Sequence, residues 1–244
     1  FDGEWEQPWT HDMGLDLYRH LRSIQPDLLI NNRVDKGRRG MQGMTSSDEF
    51  LGDYATPEQR VGDFNRQQPW ESCITIGRQW AWKPDDKLKS PKECLQTLIQ
   101  VVGGDGNLLF NVGPMPDGRI EPRQEQRLRE MGKWLDQHGE AIYGTRGGPF
   151  KPGQWGASTC KGNQIFLFIM NGSPEQSLRL PPIKAQVLSA RTADQQTVTF
   201  DQTADGLTIS VADLTDDDAI ATVLELTVSG LAIDIAPVAV TAQP

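Results

Sequence analysis

Apolar positions along this chain fall into two successive regimes that meet near residue 146. Before it, short apolar runs alternate with helix-like segments; after it, brief β-branched runs are separated by turn residues, and no helix of any length is evident. In the first regime, residues 12–25 place Leu15, Leu17, Leu21 and Ile24 mainly on one helical face, and Pro26 stops the helix. Leu28-Leu29-Ile30-Asn31-Asn32-Arg33 reads as a strand, Cys73-Ile74-Thr75-Ile76-Gly77 as a second and Asn107-Leu108-Leu109-Phe110-Asn111-Val112-Gly113 as a third. Ahead of the third strand, Ser90-Pro91-Lys92-Glu93 supplies an N-cap, a proline at the first helical position and acidic charge in the first turn, predicting a helix to about Val102. Pro122 opens a long helix with Leu128, Met131, Trp134 and Leu135 on its buried side.

Apolar strands alternating with amphipathic helices are the pattern of parallel βαβ units, and in a (β/α) barrel the functional groups sit where strands end. Asp2, Arg33, Gly77 and Asn111 hold such positions. Three complete strands and a stub at Phe1 are roughly half of the eight that close a barrel. The other half would then lie on sequence outside this chain or on another chain, unless the fold is a smaller open α/β sheet. The second regime holds the runs 164–170, 186–188, 197–200, 206–211 and 221–228, with turns such as Asn171-Gly172 and Asp205-Gly206, which predicts an antiparallel β-sandwich. The expected fold is therefore α/β followed by all-β: a partial (β/α)8-type barrel over residues 1–146 and a β-sandwich domain over 147–244. Asp216-Asp217-Asp218 reads as an exposed turn, and Asn171-Gly172-Ser173 is a formal glycosylation sequon that a hairpin turn explains equally well.

Composition narrows the function. A chain of 244 residues with 37% hydrophobic content can build real cores, and no run is long enough to cross a membrane. The formal net charge of -9 argues against a nucleic-acid surface and fits a neutral substrate. The basic run Lys36-Gly37-Arg38-Arg39 reads as a solvated loop. Cys73, Cys94 and Cys160 give neither a zinc spacing nor a disulfide framework, so no metal or cofactor is expected. Gly103-Gly104-Asp105-Gly106 precedes a strand instead of opening a helix, which argues against a phosphate loop. His11, His20 and His138 fall on or next to helices and receive no role. No basic stretch followed by an apolar segment, as in a signal peptide, is visible at the start.

Six ordered motifs carry a resemblance to a known family. Phe1-Asp2-Gly3-Glu4-Trp5-Glu6, Ile30-Asn31-Asn32-Arg33, Gly52-Asp53-Tyr54-Ala55-Thr56-Pro57-Glu58, Pro69-Trp70-Glu71-Ser72-Cys73, Trp80-Ala81-Trp82 and Gly106-Asn107-Leu108-Leu109-Phe110-Asn111-Val112-Gly113-Pro114 are similar to the second half of family 29 glycoside hydrolases, the retaining α-L-fucosidases. The likeness continues to Tyr143 and covers about residues 1–146. It implies a catalytic barrel followed by a C-terminal β-sandwich, a fucosylated glycan or glycoconjugate as substrate, and no nucleic-acid or membrane partner. It also implies secreted, periplasmic or lysosomal placement of a full-length protein. Asp2 matches the family nucleophile and Glu58 the acid/base, with Glu71 as the alternative; Arg33 matches an arginine beside the nucleophile, and Trp80 an aromatic wall of the sugar pocket. A retaining mechanism needs two carboxyl groups about 5 to 5.5 Å apart, and the acid/base needs a raised pKa to hold its proton. The family's histidine-bearing first barrel half is absent from this sequence, which leaves a homo-oligomer or a complementary N-terminal chain as possible partners. A noncatalytic carbohydrate-binding or assembly protein is the alternative function. Trp70 and Trp82 have a core-packing reading beside the substrate-contact one, and Glu4 and Glu6 read equally well as structural hydrogen-bond acceptors.

Overall fold

The computed structural model describes residues 3–44, 51–170, 177–211 and 220–241. The sequon and the Asp216-Asp217-Asp218 run lie outside these. The described residues form mainly β-sheet, with three α-helices.

Helix α1 spans His11–Ile24, with the Thr10 side chain accepting from the Met13 N–H at its start. Gly14 is where α1 touches its neighbour: a Cβ there would lie 2.3 Å from the Val34 carbonyl oxygen, so the helix can approach this closely only through glycine. The strand expected over 28–33 is shorter than its apolar run suggests. Only Asn31 bridges, parallel to Tyr54, and the chain then tightens into a 3-10 turn at Asn32–Val34, because the Asn31 side chain accepts from the Arg33 N–H and pulls the backbone round. The Asp53 carboxylate also accepts from the Ile30 N–H, which fixes the entry to this turn.

Parallel pairing continues from there. Ala55 bridges Trp70 and Glu58 bridges Cys73, so the segment that reads as a loop in the sequence is itself a lane of the parallel array. Strand β1, Glu71–Thr75, pairs parallel with β2, Asn107–Asn111, from Glu71 opposite Asn107 to Thr75 opposite Asn111. Helix α2, Pro91–Gly103, connects them, and its start carries a full capping box between Ser90 and Glu93. Helix α3, Pro122–His138, follows β2 and buries Met131 and Trp134.

The remaining strands are β3 (Arg146–Gly147), β4 (Gly156–Lys161), β5 (Gln164–Ile169), β6 (Ser177–Leu180), β7 (Val187–Thr192), β8 (Phe200–Thr203), β9 (Gly206–Ser210) and β10 (Thr222–Val228). They form a five-stranded antiparallel sheet ordered β3-β4-β5-β10-β7 and a three-stranded sheet ordered β6-β9-β8. The two sheets close on a core that includes Ile165, Leu167, Ile169, Leu224 and Leu226 from one side and Leu178, Leu180, Leu207 and Ile209 from the other. Alternate residues of the larger sheet, Ala157, Phe166, Phe168, Met170 and Val223, face the opposite way into a second core with Leu95, Ile99, Met131 and Trp134 of α2 and α3. Residues of both parities along β5 are therefore buried, which is why its sequence is an unbroken apolar run.

Truncating Phe168 to Ala removes a fully buried ring from the layer between sheet and helices. The expected cost is about 3–5 kcal/mol in chemical denaturation, with the helical and sheet signals lost together.

Candidate functional site

A pocket of about 370 Å³ opens beside the parallel array, lined by Asn31, Arg33, Tyr54, Thr56, Glu58, Glu71, Cys73, Trp80 and Leu109. Four of the residues singled out in the sequence, Arg33, Glu58, Glu71 and Trp80, meet here; Asp2 lies outside the described residues. Arg33 is delivered by the 3-10 turn that follows Asn31. Glu58 ends its lane, and Tyr54, Thr56 and Glu58 share one side of it by the twofold alternation of extended chain. Glu71 and Cys73 share the inward side of β1 for the same reason. Trp80, 43% exposed, stands on a loop held from two directions. The Asp86 carboxylate accepts from the Arg78 and Gln79 N–H groups at 2.8 and 3.2 Å, and the Asn111 side-chain amide donates to the Trp80 carbonyl at 3.1 Å.

The two glutamates differ in depth and in charge environment. Glu58 is level with Cys73 by pairing, whereas Glu71 precedes Cys73 by two residues on β1. At about 3.3 Å per residue, Glu71 sits roughly 7 Å further from the C-terminal rim. Arg33 Nη2 and Arg38 Nη2 both donate to Glu58 Oε2, at 2.7 and 3.1 Å. Burial pushes the Glu58 carboxyl up, but these two guanidiniums outweigh it and hold the group below the usual carboxylate value. This corrects the expectation of a raised value at Glu58. Glu71 has no cation within ion-pair distance among the described residues, and burial alone pushes it up. Burial, followed by the charge of Glu71, raises the Tyr54 phenol, and burial raises the Cys73 thiol.

Arg38 was read as part of a solvated basic loop, and the structure overturns this. Its side chain is 4% exposed, pairing with Glu4 Oε1 at 2.7 Å and reaching both oxygens of Thr56. Nothing in the local pattern of charges separates Arg38 from Arg39; the distinguishing partners come from residues 18 and 34 positions away. Tyr54 and Thr56, by contrast, were findable from their alternation with Glu58. Glu4 is a buried structural partner. Trp70 is core: it is fully buried, and Cβ atoms added at Gly62, Gly104 or Gly106 would lie 2.5 to 2.9 Å from its ring. Among the described residues no group of three or more His, Cys, Asp or Glu is placed to hold a metal ion, and no helix is long and apolar enough to cross a membrane.

A carboxylate, an arginine and a half-exposed tryptophan thus meet at one pocket of the parallel array, beside an antiparallel sandwich. A family model described as Alpha-L-fucosidase matches residues 1–140, and the chain belongs to that family. An alpha-L-fucosidase of Branchiostoma floridae is 35% identical over 150 residues, covering 59% of this chain and 32% of that protein. The human tissue alpha-L-fucosidase is 28% identical over 183 residues, covering 70% of this chain and 37% of the relative. Among solved structures, alpha-L-fucosidase isoenzyme 1 from Paenibacillus thiaminolyticus matches with a TM-score of 0.76 at 28% identity, covering 91% of this chain and 56% of that one. A family GH29 alpha-L-fucosidase from Bacteroides thetaiotaomicron matches with a TM-score of 0.77 at 26% identity, over 89% and 52% of the two chains. The chain thus spans about a third of the length of the curated relatives it matches and about half of the solved ones.

The opposite shifts at the two glutamates give opposite pH linkages. Glu58, depressed in the folded state, stabilises the fold above its unfolded value near 4.5, and this contribution is lost as pH falls through the folded value. Glu71, raised in the folded state, binds its proton more tightly when folded, so its contribution is lost as pH rises through the folded value. Denaturant midpoints at neutral pH are expected to fall in Glu58→Gln and to rise in Glu71→Gln; shifts of the same sign in both would contradict the assignment.

Proposed function

We propose that this chain carries the second half of a (β/α)8-type catalytic barrel, residues 1–146, and a β-sandwich domain, residues 147–244, of a retaining α-L-fucosidase acting on fucosylated glycans or glycoconjugates. The observation that carries the reading is the meeting of Arg33, Glu58 and Trp80 at the C-terminal ends of parallel lanes, where barrel enzymes hold their chemistry. Asp2 is the nucleophile and Glu58 the acid/base. Depth favours Glu58 over Glu71, since a carboxyl roughly 7 Å below the rim is poorly placed to reach a leaving group that must depart through the mouth. In the first step a carboxylate oxygen of Asp2 bonds to the anomeric carbon, the glycosidic C–O bond breaks, and the Glu58 proton passes to the departing oxygen. In the second, water adds to that carbon as the bond to Asp2 breaks, and Glu58 takes the proton from the water. Arg33 binds sugar hydroxyls, and the Trp80 ring gives the sugar an apolar wall.

The low proton affinity of ligand-free Glu58 is compatible with this role if one of its two cations is withdrawn by substrate. Arg33 stands on the pocket wall, where sugar hydroxyls compete for its donors; Arg38 is not among the lining residues.

The test uses the chain joined to, or complemented by, the first half of the barrel. Hydrolysis of an aryl α-L-fucoside is expected, with α-L-fucose as the first-formed anomer by NMR. Asp2→Ala should abolish turnover. Glu58→Ala should slow a substrate with a poor leaving group by about 10²–10⁴-fold, and azide, which attacks the fucosyl-enzyme without a general base, should partly restore turnover of a substrate with a good leaving group. Trp80→Ala should raise KM more than it lowers kcat. A leaving-group dependence and azide recovery found in Glu71→Ala instead would transfer the acid/base role to Glu71.

A further inference from the structure

We propose that Arg38 is a positioning residue that anchors one oxygen of Glu58 from behind the pocket and leaves the other oxygen free to carry the proton. The inference rests on the reading of Glu58 as the acid/base. Both guanidiniums bind Glu58 through Oε2, and Oε1 has no hydrogen-bond partner among the described residues. An acid/base that donates and then recovers a proton needs one unencumbered oxygen held at constant aim. The two arginines divide that task. Arg33 lines the pocket wall, while the Arg38 side chain is 4% exposed and lies behind Thr56 and Glu58.

The anchor is built on all sides. Arg38 Nε donates to Thr56 Oγ1 at 3.1 Å, Nη2 to the Thr56 carbonyl at 3.0 Å and to Glu58 Oε2 at 3.1 Å, and Nη1 to Glu4 Oε1 at 2.7 Å. Thr56 Oγ1 donates onward to Asn32 Oδ1 at 2.8 Å, and Asn32 Nδ2 to the Gly43 carbonyl at 2.5 Å. Arg38 therefore ties Glu58 to the turn that carries Glu4, at the start of the chain and two residues from Asp2. Among the described residues, the charged and titratable groups around Glu58 are Arg33 from the 3-10 turn, Arg38 from the loop after it, Cys73 and Glu71 from β1, and Tyr54 on its own lane, with Glu4 behind Arg38.

The sign of each perturbation separates positioning from bulk stability. Removing the Arg38 cation favours protonated Glu58, so the alkaline limb of the kcat/KM profile should move up. Removing the Glu4 anion leaves the Arg38 charge less shared, so the limb should move down. In the complemented enzyme, Arg38→Met is expected to raise the limb by about one pH unit, with Arg38→Lys recovering part of that shift, and Glu4→Gln to lower it. Arg38→Met should also slow substrates with poor leaving groups at least about tenfold more than those with good ones, because a misaimed acid matters only when the leaving oxygen needs its proton. If Arg38→Met does not fold, Glu4→Gln alone decides. Limbs unmoved, or moved in the same direction in Arg38→Met and Glu4→Gln, overturn the positioning role. Glu58→Gln run beside them separates the two levels: if it gains no added dependence on the leaving group, the acid/base reading fails first and the positioning role falls with it. If Glu58→Gln behaves as an acid/base variant while the Arg38 and Glu4 profiles stay put, only the positioning role is lost.

Discussion

The double burial of β5 is the constraint on which the rest of the structure depends. Ile165, Leu167 and Ile169 point into the sandwich core, and Phe166, Phe168 and Met170 into the core beneath α2 and α3. One strand thus serves two hydrophobic cores, and the helical layer that backs β1 and β2 has the sandwich as its other wall. Polar contacts set the register of this contact. Gln96 and Gln100 of α2 donate to the carbonyls of Met170, Ile220 and Gly153, which lie just outside the ends of β5, β10 and β4. Arg66 donates to the Gly147, Ile233 and Ile235 carbonyls, and Asp105 receives Arg146 and the Gly147 N–H. These bonds fix the helices against the sheet, and with them the strands whose ends carry the pocket.

Parallel register then turns sequence spacing into site geometry. Asn31 meets Tyr54, Ala55 meets Trp70, Glu58 meets Cys73, and Thr75 meets Asn111, so residues scattered over eighty positions of chain become neighbours at defined heights. Height separates the two glutamates. In the sequence Glu58 is the preferred acid/base and Glu71, after Trp70, the alternative. The structure shows that Trp70 points the other way, into a nest of glycines, while Glu71 faces the pocket from a lower layer.

What could be read from the sequence follows from the range of the interactions involved. The helices were legible to within a residue or two because their caps and apolar faces are local: Ser90 and Glu93 close α2, and Pro122 opens α3. Strands β5, β9 and β10 were legible from β-branched runs. Strand β4 was not, because Gly156-Ala157-Ser158-Thr159-Cys160 is small and polar yet buried; its hydroxyls are satisfied by the Phe150 backbone and the Ala141 carbonyl, partners outside any local window. The same distinction divides the site. Arg33 closes an expected strand and could be placed by pattern and family likeness, and Glu58 by family likeness. The burial of Arg38 depends on Glu4 and Thr56, distant in sequence, so a run of basic residues looked like solvent-facing charge until the fold closed around it.

That burial changes how the charge of the site is understood. A guanidinium removed from water is tolerated only when its donors are met, and Arg38 meets them with two carboxylates, a hydroxyl and a carbonyl. The carboxylates in turn need the cation, since Glu4 is itself buried and would otherwise be an unpaired charge. Of the two carboxylates, Glu58 is the one that also faces the pocket. Arg38 and Glu4 pair behind it and Arg33 faces it from the pocket wall, so the charge of Glu58 is met from both sides.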